Sequence, residues 1–189
     1  MTFIRQSLIF RESFWILNIT ESTSGNALYY KKSEGIKDSF SVLVDDFEHD
    51  YWVIDNVGDK LFVQTNYNAP KYQVLAIDVN KPDKKDWQVV IPEQKNATLN
   101  GVQVIGGQLM ARYTKEITNV IAVYDFDGKA LGDIQLPSVF SKTAPITLSG
   151  LTGKKDLMDA YYTISSFTLP STICKLNVET LKSEVWKRP

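Results

Sequence analysis

Short apolar segments alternate with polar residues along most of the chain, and polar turns separate these segments at close intervals. Alternation with a period of two is typical of β-strands that are buried on one face, whereas an amphipathic helix repeats its apolar positions about every 3.6 residues. No long segment shows the helical period. The pattern therefore predicts an all-β protein that is built from many short strands.

Pairs of predicted strands recur four times, and each pair consists of two apolar segments joined by a polar turn. The second strands of the pairs begin at Ala27, Gln73, Val120 and Thr172, which gives a period of about 50 residues. The pairs are FWILNITESTSGNALYYKK (14–32), KLFVQTNYNAPKYQVLAID (60–78), QLMARYTKEITNVIAVYD (108–125) and DAYYTISSFTLPSTICKLN (159–177).

A further short strand is predicted after each pair, and another before three of them. Four antiparallel strands repeated every ~40–50 residues are the pattern of a β-propeller blade. A β-sandwich is the alternative, but the regular grouping in fours favours the propeller. We therefore predict one partial β-propeller domain of about four blades, with an atypical start at 1–13 and blade-like units at about 14–48, 50–92, 98–137 and 144–187.

Composition narrows the function classes without choosing one. The chain has 189 residues, with 21 Lys+Arg against 22 Asp+Glu and a formal net charge of −1. This balance gives no reason to expect a nucleic acid or a membrane surface as a partner. The apolar runs are too short for a signal peptide or a membrane span. A single cysteine, Cys174, excludes an internal disulfide.

Four motifs resemble the propeller of the prolyl oligopeptidases, which are serine peptidases that cleave short peptides after proline. VDDFEHDYWVIDNVGDKLFVQTNYNAPKYQVLAIDV (44–79) is similar to a joint between blades of that family, followed by its T-N-x-N-A-P turn. DWQVVIPEQ (86–94) is similar to the W-x-x-L-I-P-E strand, and SGLTGKKDLMDAYYTISSFTLPSTICKLNVET (149–180) to the closing blade. The resemblance covers about residues 18–189, and two features depart from it: Cys174 stands where an aromatic residue is usual, and residues 1–14 fit poorly.

The resemblance implies a seven-bladed propeller over an α/β-hydrolase domain, of which this chain would be about the last four blades. It implies that the chain ends where the missing hydrolase domain, a partner in the parent enzyme, would resume. The parent would bind peptides, and its propeller would admit short ones and exclude folded proteins. A cytoplasmic location is expected from the resemblance, with the periplasm as the alternative for the parent.

The residues needed for serine-peptidase chemistry are not found in the sequence. No glycine is followed two residues later by a serine, so the G-x-S-x-G nucleophile elbow is missing, and His49 is the one histidine. We expect His49 to be a polar residue in a turn between blades, and we assign no catalytic residue. The predicted function is a noncatalytic fragment of a prolyl oligopeptidase, and the alternative is an independent propeller-like module that binds a protein or peptide through its loops.

Other candidate sites are also weak, and we predict neither a metal nor a cofactor. The acidic segment DDFEHD (45–50) contains carboxylates and a histidine, but neighbours along a strand point to opposite faces and would not converge without a special loop. GLTGKK (150–155) lacks the spacing of a phosphate-binding loop, so a turn within a blade is expected there. Cys174 is expected to be a small buried apolar residue.

The alternating pattern also predicts which side chains are buried and which are left uncovered. In the second blade-like unit we expect Trp87, Val89, Ile91 and the segment 61–63 to be buried. About four blades would not close into a ring at the curvature of the family. The faces near Trp15 and Leu17 in the first unit, and near Tyr162 and Ile164 in the last, would stay exposed and favour a homo-oligomer.

Overall fold

The computed structural model describes residues 5–34, 39–140, 146–167 and 170–188, which consist mostly of β-strands and the turns between them. Sixteen strands form four antiparallel sheets of four, and within each sheet the strands lie side by side in chain order. Two short 3-10 turns, Lys84–Asp86 and Ser138–Phe140, lie between strands. No helix in this part of the chain is long and apolar enough to cross a membrane. The predicted all-β class is confirmed.

Each sheet is an up-and-down meander. The first contains β1 (Arg5–Arg11), β2 (Phe14–Thr20), β3 (Ala27–Lys32) and β4 (Ser41–Val44). The second contains β5 (Tyr51–Val57), β6 (Lys60–Thr65), β7 (Gln73–Asp78) and β8 (Gln88–Ile91). The third contains β9 (Thr98–Ile105), β10 (Gln108–Lys115), β11 (Thr118–Tyr124) and β12 (Ala130–Asp133). The fourth contains β13 (Thr147–Gly153), β14 (Asp159–Ser165), β15 (Thr172–Asn177) and β16 (Lys182–Lys187).

The four predicted strand pairs are the central hairpins of these sheets. Three of the predicted starts of second strands, at Ala27, Gln73 and Thr172, agree with the structure, and the fourth strand starts at Thr118 instead of Val120. The first sheet begins earlier than position 14, because β1 pairs along its whole length with β2. The segment expected to be an atypical start therefore contributes a regular edge strand.

The chain divides into two compact units, Met1–Glu93 and Gln94–Pro189, and each contains two sheets and one apolar core. In the first unit, aliphatic and aromatic side chains of the first and second sheets are buried together, among them Phe14, Leu28, Tyr51, Leu61 and Ile77. In the second unit, the third and fourth sheets bury a similar set, among them Met110, Val123, Tyr162, Ile164 and Leu176. Burial of such side chains is the main favourable term in folding.

The predicted burial in β8 is only partly right. Ile91 is fully buried and Trp87 half-buried, but Val89 is 56% exposed and Val90 is buried instead. The strict alternation fails because the pairing of β7 with β8 shifts at this point, so that Ile91 lies opposite Val74 and Val89 opposite Leu75. A β-bulge of this kind re-aims the side chains that follow it.

The prediction that Tyr162 and Ile164 lie on an uncovered face is wrong. Their side chains are 1% and 0% exposed, because they project into the core that the fourth sheet shares with the third. The opposite face of β14 carries Tyr161 and Thr163. In the first sheet the expectation fits better, since Trp15 is 39% exposed, although Leu17 is half-buried.

The outer strand of the fourth sheet, β16, does not have a fully open edge. The backbone N–H of Gln135 donates to the carbonyl of Leu181 at 2.7 Å, and the N–H of Ser183 donates to the carbonyl of Gln135 at 3.0 Å. The segment after β12 thereby pairs with the start of β16. Pairing of this kind reduces the tendency of an edge strand to associate with other chains.

Candidate functional site

The acidic segment 45–50 forms the loop between β4 and β5. One ligand atom each from Asp46, Glu48 and His49 lies within 4.8 Å of the others. We expected convergence only through a special loop, and this segment is such a loop, because it is not a strand and Phe47 has a positive φ of 55°. A left-handed residue turns the chain and allows neighbouring side chains to meet.

The carboxylate of Asp46 already has a cation within the protein. Lys84 Nζ lies 2.7 Å from Asp46 Oδ2, and the backbone N–H of Glu48 donates to Asp46 Oδ1 at 3.1 Å. Burial alone would raise the pKa of Asp46, but these two hydrogen bonds, together with the electrostatic attraction of Lys84 and His49, lower it. Lys84 also lies 5.0 Å from the centre of the Tyr67 ring. A metal ion would have to displace this lysine, so the geometry favours an ion pair and the absence of a metal site stays a prediction.

His49 is held among aromatic rings at the base of this loop. Its ring lies edge-on to Tyr67 and Tyr51, with centroid distances of 5.3 Å and 6.4 Å, and its Nδ1 has no hydrogen-bond partner among the described residues. A catalytic histidine needs a nucleophile on one nitrogen and an orienting acid on the other. The groups that surround His49 are phenol rings and carboxylates. This arrangement is suited to packing and charge pairing.

Asp50, which follows His49, joins the loop to both neighbouring hairpins. Its Oδ1 accepts the N–H of Gly25 at 2.8 Å, its Oδ2 accepts the hydroxyl of Tyr72 at 2.7 Å, and its own N–H donates to Asn66 Oδ1 at 2.8 Å. Burial, and after it the bond to Asp50, raises the pKa of Tyr72 to about 12. Tyr72 therefore stays protonated at neutral pH and acts as a hydrogen-bond donor.

Gly25 occupies a position that no other residue would fill without strain. Its φ is +75°, and a Cβ at this position would collide with the carbonyl oxygen of Phe47. Only glycine adopts such a conformation at little cost and also lets two backbones approach this closely. The contact fixes the turn between β2 and β3 against the loop 45–50.

Asn26 forms a second link between the first and second sheets. Its Oδ1 accepts the N–H of Tyr51 at 2.6 Å, and its Nδ2 donates to the carbonyl of the same residue at 3.1 Å. Asn119 has a corresponding role in the other unit, where its Oδ1 accepts the N–H of Leu148 at 3.2 Å. We did not predict either role, although both asparagines immediately precede a predicted second strand, at Ala27 and Val120. The same position in the other two pairs holds Tyr72 and Ser171, so the repeat by itself does not single out asparagine.

Two other candidates from the sequence are Cys174, which lies in the apolar core, and the segment 150–153, which lies in a β-strand. Burial raises the pKa of the Cys174 thiol, which lies in the core of the second unit, so it is protonated and unreactive at neutral pH. The segment 150–153, which we expected to form a turn, belongs to β13 and carries an irregularity in its pairing with β14. Because β13 leads into another strand, the segment lacks the helix of a phosphate-binding loop.

An open cleft lies at the hairpin tips of the third and fourth sheets. Its volume is about 480 Å³, and its apolar walls come from Ile117 and Phe167, which are 76% and 99% exposed. Hydroxyl groups of Thr147, Ser165 and Ser166 complete the lining. Apolar walls with a few polar groups suit a peptide segment better than a reaction centre, which would need a nucleophile and a base. The alternation pattern did not single out these tip residues.

The architecture defines the chain as part of a β-propeller, with four blades of four antiparallel strands each. Comparison with known proteins then identifies the family. Residues 11–189 match the model of the N-terminal β-propeller domain of prolyl oligopeptidase. The chain belongs to this family.

Individual relatives agree with this assignment. The prolyl endopeptidase of Elizabethkingia miricola is 31% identical over 178 residues, which cover 94% of this chain and 24% of that protein. A solved prolyl endopeptidase structure matches 98% of this chain with a TM-score of 0.85 at 33% identity. Prolyl oligopeptidase B of Galerina marginata, solved with a 35mer hydrolysis and macrocyclization substrate, shares the fold with a TM-score of 0.79 at 24% identity. The chain spans about a quarter of the length of these relatives.

Proposed function

We propose that this chain is a noncatalytic part of the propeller of a prolyl oligopeptidase-like serine peptidase, and that in the parent enzyme it limits access to the active site. The observation that carries this proposal is the match of residues 11–189 to the propeller model, together with the TM-score of 0.85 to a solved prolyl endopeptidase. The parent would cleave short peptides after proline, and its hydrolase domain would be the main partner of the chain.

The residue types of the chain favour a structural role in the parent enzyme over a catalytic one. The sequence has one histidine, and the described groups around His49 are phenol rings and carboxylates. A Ser-His-Asp triad needs a serine held against the imidazole by a strained elbow, and the sequence has no such elbow. The same resemblance supports a cytoplasmic location, which fractionation of the source cells would test.

A graft tests the proposed function. This chain replaces the matching 178-residue segment of the Elizabethkingia miricola enzyme, and the graft is assayed with a short Gly-Pro chromogenic substrate and with a folded protein. We expect cleavage of the short substrate and none of the folded protein, whereas the chain alone should cleave neither. The unaltered Elizabethkingia enzyme is the control.

Two outcomes would contradict the proposal. The first is peptidase activity that co-purifies with the chain alone. The second is a folded graft, judged by its circular dichroism, that cleaves folded proteins as fast as short peptides. A folded graft without activity would favour the alternative, an independent peptide-binding module, for which the cleft at Ile117 and Phe167 is the supporting observation.

Self-association belongs to the same proposal, and the supporting observation is the exposure of the apolar side chains of Leu8, Phe10 and Trp15 on one face of the first sheet.

A further inference from the structure

A small pocket lies between the first and second sheets, on the side where these two sheets pack against each other. Its volume is about 170 Å³. Ile16 and Leu28, which are 2% and 0% exposed, form its floor, and Ile9, which is 38% exposed, lies at its mouth. Trp52 and Val53 of β5 line the opposite side. Both sheets belong to the first unit, so the described chain itself supplies both sides of the pocket.

The strand register explains why side chains from three strands of the first sheet meet here. Ile9 lies opposite Ile16, and Asn18, two residues after Ile16, lies opposite Leu28. Partners in a sheet and residues two apart along a strand point to the same side, so these four side chains all face the second sheet. On that sheet the pairing of β5 with β6 shifts after Val53. Such bulges bend a strand and are over-represented next to active sites.

Two polar side chains, Arg11 and Asn18, complete the lining of this apolar pocket. Arg11 Nε donates to the carbonyl of Ile54 at 3.0 Å, and its Nη1 donates to the carbonyl of Phe10 at 3.3 Å. A guanidinium has more N–H groups than these two bonds use. No carboxylate among the described residues forms an ion pair with Arg11. The pocket therefore has one positive charge without an anionic partner in this part of the chain.

The size and the charge of the pocket together define its ligand. Pockets that hold a whole small molecule have volumes of about 300–1,000 Å³, so the smaller space here suits a single apolar side chain. A guanidinium binds a carboxylate through short, charge-assisted hydrogen bonds. A compact apolar side chain directly beside a carboxylate is what the C-terminal residue of a peptide offers.

We propose that this pocket binds the C-terminal proline of a peptide, with the ring between Ile9 and Val53 and the carboxylate at Arg11. Proline suits the site because its ring is compact and apolar. Its nitrogen carries no hydrogen when it is joined to a preceding residue, so no donor is buried without an acceptor. The inference rests on the proposed function, since cleavage after proline releases peptides that end in this residue. The pocket would thus hold a product of the parent enzyme.

The test is a calorimetric titration of the full chain with the tripeptide Ala-Ala-Pro. The contact involves one side chain and one charge, so we expect a dissociation constant on the order of millimolar. The same peptide with a C-terminal carboxamide should bind at least about tenfold more weakly, because it lacks the charge that Arg11 recognises. Ala-Ala-Gly should also bind at least about tenfold more weakly, because it has no ring to bury.

Variants locate the binding on the two halves of the site. Arg11→Gln should remove the preference for the free carboxylate over the carboxamide. Arg5→Gln is the matched control, because Arg5 is an exposed arginine on the same strand that does not line the pocket, and it should leave both affinities unchanged. Ile9→Phe should weaken binding at least about tenfold by filling the mouth. Ile9 is partly exposed, so this change does not disturb the core.

Methyl signals in nuclear magnetic resonance spectra provide a measurement that does not depend on the variants. Those of Ile9 and Val53 should move as Ala-Ala-Pro is added. The methyl signals of Ile173, which is 39% exposed in the second unit, should not move. Circular dichroism shows whether each variant is folded before its affinity is compared.

Several outcomes would overturn the inference. These are the absence of saturable binding, equal affinity for the carboxylate and the carboxamide, equal losses in Arg11→Gln and Arg5→Gln, and signal changes that leave out Ile9 and Val53. The titration measures binding to the chain alone, whereas the graft measures cleavage. An inactive graft therefore leaves the binding result intact, and the two proposals fail separately.

Discussion

The two units of the molecule contain the same number of strands and similar cores, but they join their sheets by different means. In the first unit the links are made mainly by side chains: Asn26 bonds to the backbone of Tyr51, Asp50 bonds to Gly25, and Arg11 Nε donates to the carbonyl of Ile54 at 3.0 Å. A hydrogen bond made by a side chain is lost when that side chain is removed.

In the second unit the described links are mainly between backbones. The N–H groups of Gly106 and Gly107 donate to the carbonyls of Lys154 and Lys155 at 3.1 Å and 2.7 Å, and Gln135 pairs with the start of β16. Asn119 adds one side-chain link. Backbone groups remain after most substitutions, so we expect the first unit to be more sensitive to loss of polar side chains than the second.

The largest expected effects come from truncating fully buried apolar side chains, which each unit contains. Ile91→Ala in the first unit and Leu176→Ala in the second should each lower the free energy of unfolding by about 2–5 kcal/mol, because both side chains are fully buried. Val89→Ala, on the same strand as Ile91 but 56% exposed, should cost less than about 0.5 kcal/mol. Urea denaturation measures all three, and an unchanged midpoint for Ile91→Ala would contradict the burial of this end of β8.

The next largest effects compare the side-chain links that Asn26 makes in the first unit and Asn119 makes in the second. Asn26→Ala should cost about 2–3 kcal/mol, because it leaves the buried N–H of Tyr51 without its partner and the carbonyl of Tyr51 with the longer 3.4 Å bond from Asn18 Nδ2. Asn119→Ala removes one bond to the partly buried N–H of Leu148 in the neighbouring sheet and one to Thr114 Oγ1 in its own sheet, and should cost about 1 kcal/mol. Hydrogen exchange at the amides of Tyr51 and Leu148 should report each loss locally. Equal costs would show that the units do not differ in the way we describe.

The sequence was sufficient to predict those parts of the fold that depend on neighbours along the chain. Alternation and turn residues located the central hairpins almost to the residue, since both strands of a hairpin and its turn are local. The first strand was not predicted as part of a blade. In RQSLIFR (5–11) the apolar residues Leu8, Ile9 and Phe10 are all exposed, so the segment lacks the one-sided pattern of a buried strand.

The features that the sequence did not yield depend on contacts between distant segments. Alternation shows that Tyr162 and Ile164 share a face, but it does not show which face the neighbouring sheet covers. The bulge that exposes Val89 depends on how β8 pairs with β7. The convergence of Asp46 with His49 depends on the left-handed conformation of Phe47, a residue type that rarely adopts it. Each of these needs tertiary contacts that no local pattern contains.

The smallest expected effect is a pH dependence in the first unit. The pKa of Asp46 is lowered in the folded protein, so its ionised form adds stability above the ordinary value of 3.8. This contribution is lost as the pH falls below 3.8 through the lower folded-state pKa. The side chains of Asp46 and Lys84 are 27% and 40% exposed, so solvent screening limits the contribution to less than about 1 kcal/mol.

Variants of the ion pair isolate this contribution from that of the other acidic residues. Unfolding free energies of the unaltered chain and of Asp46→Asn, measured between neutral and acidic pH, should converge as Asp46 becomes protonated. Lys84→Gln should remove most of the same pH dependence, because the bond to Lys84 is the strongest influence that lowers the pKa of Asp46. If Lys84→Gln kept the full pH dependence, the N–H of Glu48 would be the partner that matters, and the loop 45–50 would hold its charge without help from the second sheet.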